Sequence, residues 1–444
     1  MAAGRLLVIL VLLMAGAAAA AAFGIPMPVP AFGVQDVPWE YCALYRNIHG
    51  SAPFDLGTAA AIHLGNTNSC IAGYDVDPAT GAGGNYYQLC IPSWVAVTEN
   101  GTLAGEAAMN HAAVSPGTAI SGFMRFMERR LEQREVTRAM ELVPYKFVEW
   151  LGWAGIQVQV QADQQVKVFS VAHLAGVLIA ELKHKAEAHL GRDIRHGVIA
   201  VPHHLTYRGR QDVVHTASSW GGFWGGGVKA IDQQIAAAAA YGHHTETEQG
   251  DGKTILVFRV GGRTSDATIF KFVNGTARYD YSQHDYFLGG DDLTARIVDY
   301  MAELIKQRHQ WDIRQDEDGK ALGSLRVACE YAKKALSDQE ETLVQVDLDG
   351  IGAGAGSFSE LLTRAKLEEL NQDLLDRAMA LVDGALTRSG RRQPDMVVVD
   401  EIVLAGGSAR IPKLRQLVQD YMGGREPNSR KGVEAQEAII HGRS

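Results

Sequence analysis

The chain has 444 residues, 46% hydrophobic and 21% charged, a composition that excludes disorder as the default and allows two or more domain-sized cores. Its formal net charge of -9 and lack of a basic tract argue against a nucleic-acid partner, which demands clustered Lys and Arg. Four cysteines, Cys42, Cys70, Cys90 and Cys329, with no CxxC pair, exclude a zinc module and a disulfide-dense scaffold, and permit one bridge in an oxidising compartment.

In chain order, Arg5, the apolar run Leu6 to Met14 and the alanines Ala17 to Ala22 read as a signal peptide, 1–22, with no membrane span expected once it is removed. Residues 23–57, rich in Pro and Gly, read as an irregular leader. From Thr58, strands and helices alternate. Ala59 to Leu64 is a buried strand; Val171 to Leu190 is a helix stopped by Gly191. Gly197 to Val201 is a strand ended by Pro202, and the Ala-rich stretch Ile235 to Tyr241 is helical by propensity. The polar segment His243 to Lys253 separates two halves, 58–250 and 251–444. Asn100-Gly101-Thr102 and Asn274-Gly275-Thr276 are glycosylation tripeptides compatible with a secretory route.

The second half repeats the first. Ile255 to Val260 is again a buried strand, and Gly261-Gly262-Arg263-Thr264-Ser265 follows it as Gly65-Asn66-Thr67-Asn68-Ser69 follows Leu64. Such alternation indicates an α/β architecture whose ligands bind at the carboxyl ends of strands. Two similar lobes would set the two turns face to face, with room for a phosphate chain between. Farther on, Glu330, Lys333 and Ser337 share one helical face. The strand Val403 to Ala405 precedes a Gly406-Gly407 turn that lets backbone approach a ligand, and the planar guanidinium of Arg410 can stack on a base.

Seven motifs in this order carry a family resemblance: Ile62 to Cys70, Val201-Pro202, Ala236 to Gly242, Gly261 to Thr264, Leu288 to Asp292, Cys329 to Lys333 and Ala405 to Pro412. Their spacing resembles the nucleotide-binding domain of the 70-kDa heat-shock chaperones, over residues 58 to 442, and the leading signal peptide points to the endoplasmic-reticulum branch of that family. The resemblance implies an actin-like ATPase fold of two lobes, each like ribonuclease H, around a nucleotide cleft, with ATP or ADP as ligand. It implies phosphate contacts at Gly65, Asn66, Thr67, Asn68, Gly261, Gly262, Thr264, Gly289 and Gly290. Adenosine contacts are implied at Glu330, Lys333, Lys334, Ser337, Gly406, Gly407, Ser408 and Arg410. Co-chaperones and nucleotide-exchange factors are the implied partners, and the lumen of the endoplasmic reticulum the implied location. No client-peptide domain and no Lys/His-Asp-Glu-Leu signal follow before Ser444, so retention is inferred from resemblance alone.

Hydrolysis in that family rests on metal-holding carboxylates, a water-orienting lysine and an acid at the cleft base. Here the first Asp is His63 and the second is Arg259; the Lys position holds Met124, or Phe123 under a one-residue shift; the Glu position holds Gln233. Only Asp266 keeps a carboxylate near the expected metal. A unit charge of the wrong sign 4 Å away is worth about 4 kcal/mol at an effective dielectric of 20, and Mg²⁺ wants an octahedron of oxygens that imidazole and guanidinium do not offer. The expectation is therefore a pseudo-ATPase, with an active chaperone-type ATPase as the alternative. A sugar kinase is excluded because His63 and Arg259 leave no candidate for its general-base Asp at the expected hairpin positions, whereas a decayed paralogue stays open. For Arg259 two outcomes also stay open: it supplies the metal's missing charge to a nucleotide, or it swings to solvent and leaves an eroded pocket.

Overall fold

Strand β1, Ala59–Leu64, is buried at five of its six residues. That burial explains its unbroken run of small and apolar side chains, because it runs through the middle of a sheet covered on both faces. The computed structural model describes residues 59–427 apart from 77–82, 113–114, 141–142, 144, 161–165, 224–226, 242–251, 274–275, 316–319, 349–355 and 394–395. The signal peptide, the leader, all but the end of the polar separator, the core of the Asn274 tripeptide and the C-terminal stretch to Ser444 lie outside the described residues.

Strands β2 (Asn68–Val76) and β3 (Gly83–Pro92) continue β1 as an antiparallel meander. The short strands β4 (Trp94–Thr98), β5 (Gly101–Ala104) and β6 (Ala119–Ser121) form a side sheet, and β7 (Lys146–Trp150), β8 (Trp153–Gln159) and β9 (Val166–Ser170) another. Helix α1, Val171–Leu190, begins where the Ser170 hydroxyl accepts the His173 amide and ends at Gly191 with left-handed backbone, as the sequence implies. After it, β10 (His196–Val201) pairs parallel with β1. Helix α2 (Tyr207–Ser219) leads to β11 (Val228–Asp232), and the first main sheet runs β11-β10-β1-β2-β3.

The Ala-rich helix α3 occupies Gln233–Ala240, starting two residues before the apolar pattern does. The second sheet then repeats the first: β12 (Thr254–Val260), β13 (Ser265–Val273) and β14 (Thr276–Asp285) form a meander. Helices α4 (Gly290–His309) and α5 (Lys320–Ala335) pack with the β15–β16 hairpin (Glu341–Asp347, Ser357–Thr363) around Ile297, Met301, Leu325, Val344 and Phe358. Helix α6 (Gln372–Arg388) lies on the second sheet, strand β17 (Glu401–Ala405) joins β12 in parallel, and α7 (Pro412–Tyr421) follows. Among the described residues no helix is long and apolar enough to cross a membrane.

The duplication holds to the residue. Leu64 pairs with Ser69 and His63 with Cys70 in the first hairpin; Val260 pairs with Ser265 and Arg259 with Asp266 in the second. Between the sheets, Ile235, Ala237 and Ala238 of α3 share one core with Ala200 of β10, Ile255 and Val257 of β12 and Val403 of β17. Methyl-sized side chains let the two sheets approach, so the Ala run that reads as propensity also serves as a thin spacer. This is the duplicated, two-lobed α/β architecture of the actin-like ATPases. Across the first sheet, Cys70 and Cys90 face each other on β2 and β3 and form a disulfide, with Cα atoms 4.1 Å apart.

Candidate functional site: a rewired cleft floor

The two hairpin turns meet at the cleft. Asn66 Nδ2 lies 3.5 Å from Thr264 Oγ1, and Asn66 Oδ1 accepts the Arg125 backbone amide at 2.9 Å. A methyl group on Gly262 would overlap Thr67 Oγ1, so glycine is what lets the turns touch. From the second lobe Arg263 donates to Asp291 at 2.7 Å and reaches Ser121 Oγ of the first at 3.4 Å.

Beneath the turns, Met124 and Gln233 are buried, and His63 sits beside them at the end of β1. Arg259 does not swing to solvent. It turns inward to form an ion pair with the fully buried Asp266, and its Nη2 donates to Thr264 Oγ1 at 3.2 Å. The other oxygen of Asp266 accepts Gln234 Nε2 at 2.7 Å. One carboxylate oxygen is thus held in an ion pair and the other in a hydrogen bond. The cavity left between the turns and this pair is about 30 Å³, room for one or two waters.

Arg125, His204 and His284 line the same cavity as Arg259. Arg125 donates to the Tyr286 carbonyl at 3.2 Å and lies over the Phe126 and Phe287 rings; burial, with the Arg263 charge behind it, lowers its pKa to about 10. His284 stands opposite Asp266 on β14. Burial pushes its pKa down to about 4 despite the Asp266 charge, helped by His203, Arg259 and Arg129. Burial also holds His204 well below the usual histidine value, so both rings are neutral near pH 7. At the start of α3, burial acts to raise the Asp232 carboxyl, but the His203 hydrogen bond and the Arg210 charge prevail and lower it. Tyr279 donates to Asp232 at 2.5 Å.

Among its described residues the floor offers a hydrated Mg²⁺ no carboxylate without a protein partner. The ion keeps several waters and wants oxygen ligands around it, carboxylates first among them. Of the carboxylates at the floor, Asp266 is spent on Arg259 and Gln234, and Asp285 pairs with Arg377. Among the described residues no group of three or more His, Cys, Asp or Glu side chains is arranged to hold a metal.

The opposite wall is organised differently. Lys333 Nζ, almost wholly buried, donates to the Gly290 carbonyl at 2.8 Å and pairs with Glu330 at 2.6 Å. Thr294 donates to Glu330 at 2.5 Å. Burial raises the Glu330 carboxyl, yet Lys333 and Thr294 outweigh it and the pKa falls. Ser408 Oγ donates to the Gly261 carbonyl at 3.1 Å, and the Gly290 and Asp291 amides donate to the Gly261 and Gly262 carbonyls at 2.9 and 2.7 Å. A methyl on Gly290 would lie 2.5 Å from Ser408 Oγ and 2.9 Å from Lys333 Nζ. The second turn, the start of α4, α5 and the Gly406–Ser408 turn therefore converge on one point.

Of the residues expected at the site, Gly65, Asn66, Thr67, Gly261, Gly262, Thr264, Gly290, Glu330, Lys333 and Ser408 fall into these two walls. Gly406 turns with φ of 91°, and Gly407 opens the short helical turn after it. The Gly289 amide is taken by Asp292 at 2.8 Å. Others lie at the margin. Lys334 is largely exposed and pairs with Glu330 at 3.4 Å; Asn68 opens β2 and is exposed. Ser337 lies past the end of α5, in the next turn, so the helical face read from the sequence stops at Lys333. Arg410 points to Asp338 at 3.4 Å.

Sequence reasoning missed Gln234, Arg125, His204 and His284. Gln234 is the neighbour of a residue already singled out. His284 becomes visible once β13 and β14 are put in register.

The chain matches the family described as Hsp70 protein over residues 59–444. It is 37% identical over 389 residues to "Heat shock 70 kDa protein BIP3" of Oryza sativa subsp. japonica, covering 87% of this chain and 55% of that protein. It is 32% identical over 391 residues to "Heat shock 70 kDa protein" of Neurospora crassa, covering 87% of this chain and 57% of that one. The chain spans about half the length of the curated relatives it matches.

Proposed function

Because the chain belongs to the Hsp70 family, whose domains bind ATP and ADP, we propose that it is a nucleotide-binding domain of the secretory pathway that holds ATP or ADP without hydrolysing ATP. One observation carries the reading: the Arg259–Asp266 ion pair, sealed by Gln234. It puts a fixed protein cation where the family's chemistry calls for a mobile one.

The roles follow from the two walls. Glu330 and Lys333, held against Gly290, offer an acceptor and a cation to the ribose, with Lys334, Ser337 and Arg410 at the rim and the Gly406–Ser408 turn under the base. The turns Gly65–Thr67 and Gly261–Thr264 take the phosphates, and Arg259 adds positive charge that needs no metal. Phosphoryl transfer is catalysed by positioning and charge neutralisation. Met124 has no proton to give and only a weakly accepting thioether, and the Gln233 amide neither gives nor takes a proton near neutral pH. No step is therefore assigned to Mg²⁺. The leading apolar segment and the Cys70–Cys90 disulfide support the lumen of the endoplasmic reticulum as location. There the domain competes for co-chaperones or exchange factors that grip such lobes.

The test is ATP turnover by the purified chain with Mg²⁺, beside an intact family member. Turnover at background is expected, and Arg259→Asp alone leaves it there because Met124 and Gln233 remain. Turnover matching the intact protein and lost on changing Arg259 contradicts the proposal.

A further inference from the structure

We propose that Asn100 is an N-glycan acceptor. The turn between β4 and β5 is two residues long, Glu99 and Asn100, closed by the Thr98–Gly101 pair and by Thr98 Oγ1 donating to the Gly101 carbonyl at 3.0 Å. Asn100-Gly101-Thr102 is an acceptor tripeptide. Its three residues and Glu99 before it are all exposed, and no heavy atom lies within 4 Å of where a side chain at Gly101 would begin. A bulky, hydrated sugar needs such open space, and a transferase needs a turn it can reach.

The disulfide is an independent observation. Cys70 and Cys90 are joined, and structural disulfides form in the compartments where N-glycans are added and are rare in the cytosol. The inference rests on that secretory placement and not on the nucleotide reading. None of the turn residues lines the cleft floor, so a glycan here leaves the site open. It stands instead beside β5, the edge strand of its three-stranded sheet, whose unpaired backbone groups invite pairing with another chain.

The reaction takes a lipid-diphosphate-linked oligosaccharide as co-substrate. Asn100 Nδ2 forms a bond to the anomeric carbon, the bond from that carbon to the diphosphate oxygen breaks, the amide gives up one proton, and the lipid diphosphate leaves.

The experiment expresses the full chain, native N-terminus included, in eukaryotic cells in an Asn274→Gln background, and follows gel mobility with and without an amidase that strips N-glycans. One mobility step is expected, removed by the amidase, lost in Asn100→Gln and Thr102→Ala, and kept in Thr102→Ser. Thiol alkylation of the same protein reads Cys70 and Cys90. A chain with the disulfide formed and no mobility step overturns this inference alone. Free thiols with no step overturn both it and the secretory placement.

Discussion

The two hairpins share one backbone and one register, yet spend the same paired position differently. In the first, His63 faces Cys70, and Cys70 is tied by a disulfide to Cys90 on the next strand. In the second, Arg259 faces Asp266, and the pair is buried with Gln234. Duplication fixes where the turns sit; the side chains decide whether the turn is chemically armed. Neither hairpin keeps a carboxylate free for a metal. The first is stapled covalently and the second electrostatically, which predicts that they fail under different insults.

The largest effect is expected from breaking the second staple. Asp266→Ala leaves the largely covered Arg259 without its counter-ion and should cost up to about 3–5 kcal/mol in urea unfolding. Replacing both partners by apolar residues of similar volume should cost far less, because the desolvation penalty goes with the pair. Equal losses would mean that packing, not charge, holds the hairpin. Next is the first staple: a bridge across a separation of 20 residues contributes about 3 kcal/mol. Cys90→Ala should lower stability by that amount, and added reductant should leave the variant unchanged while lowering the parent to match it.

Gly262→Ala tests whether the hairpins need to touch. Its methyl meets Thr67 Oγ1, so the turns must part at a cost of about 1–3 kcal/mol. Weakened nucleotide binding should accompany the loss, read by the thermal shift that ADP produces.

The smallest effect is acid. The folded-state pKa of His284 is lowered to about 4 by burial, against about 6.5 unfolded. Between those values the unfolded chain binds more protons, so stability falls as pH falls, by about 1 kcal/mol from pH 6.5 to 5.5 for this ring. The groups facing it are Asp266, His203, Arg259, Arg129, His204 and Tyr286, so the acid loss belongs to the second hairpin. His284→Asn should flatten the pH dependence measured by urea unfolding, and an unchanged slope would assign it to His204 or elsewhere.

Much of this was legible in the residues. Buried strands announce themselves by unbroken apolar runs, as in β1 and β12, and α1 by its helical period and terminal Gly191. The turn motifs repeat visibly, which is enough to place the cleft. What the sequence left open was direction. Whether Arg259 faces solvent or Asp266 depends on Gln234, one helix away, and on the volume left by Met124 and Gln233. The partner of Cys70 depends on the β2–β3 register, which sets it opposite a residue 20 positions on. Ser337 leaves the helical face because α5 ends at Ala335, a boundary that side-chain pattern marks weakly.

The central claim is tested most directly by calorimetric titration of the purified domain with ADP, once with Mg²⁺ and once with chelator. A fixed Arg259 charge in the metal's place predicts the same dissociation constant in both. Binding that appears only with Mg²⁺ would mean that the Arg259–Asp266 pair opens to admit the ion, and would contradict the account.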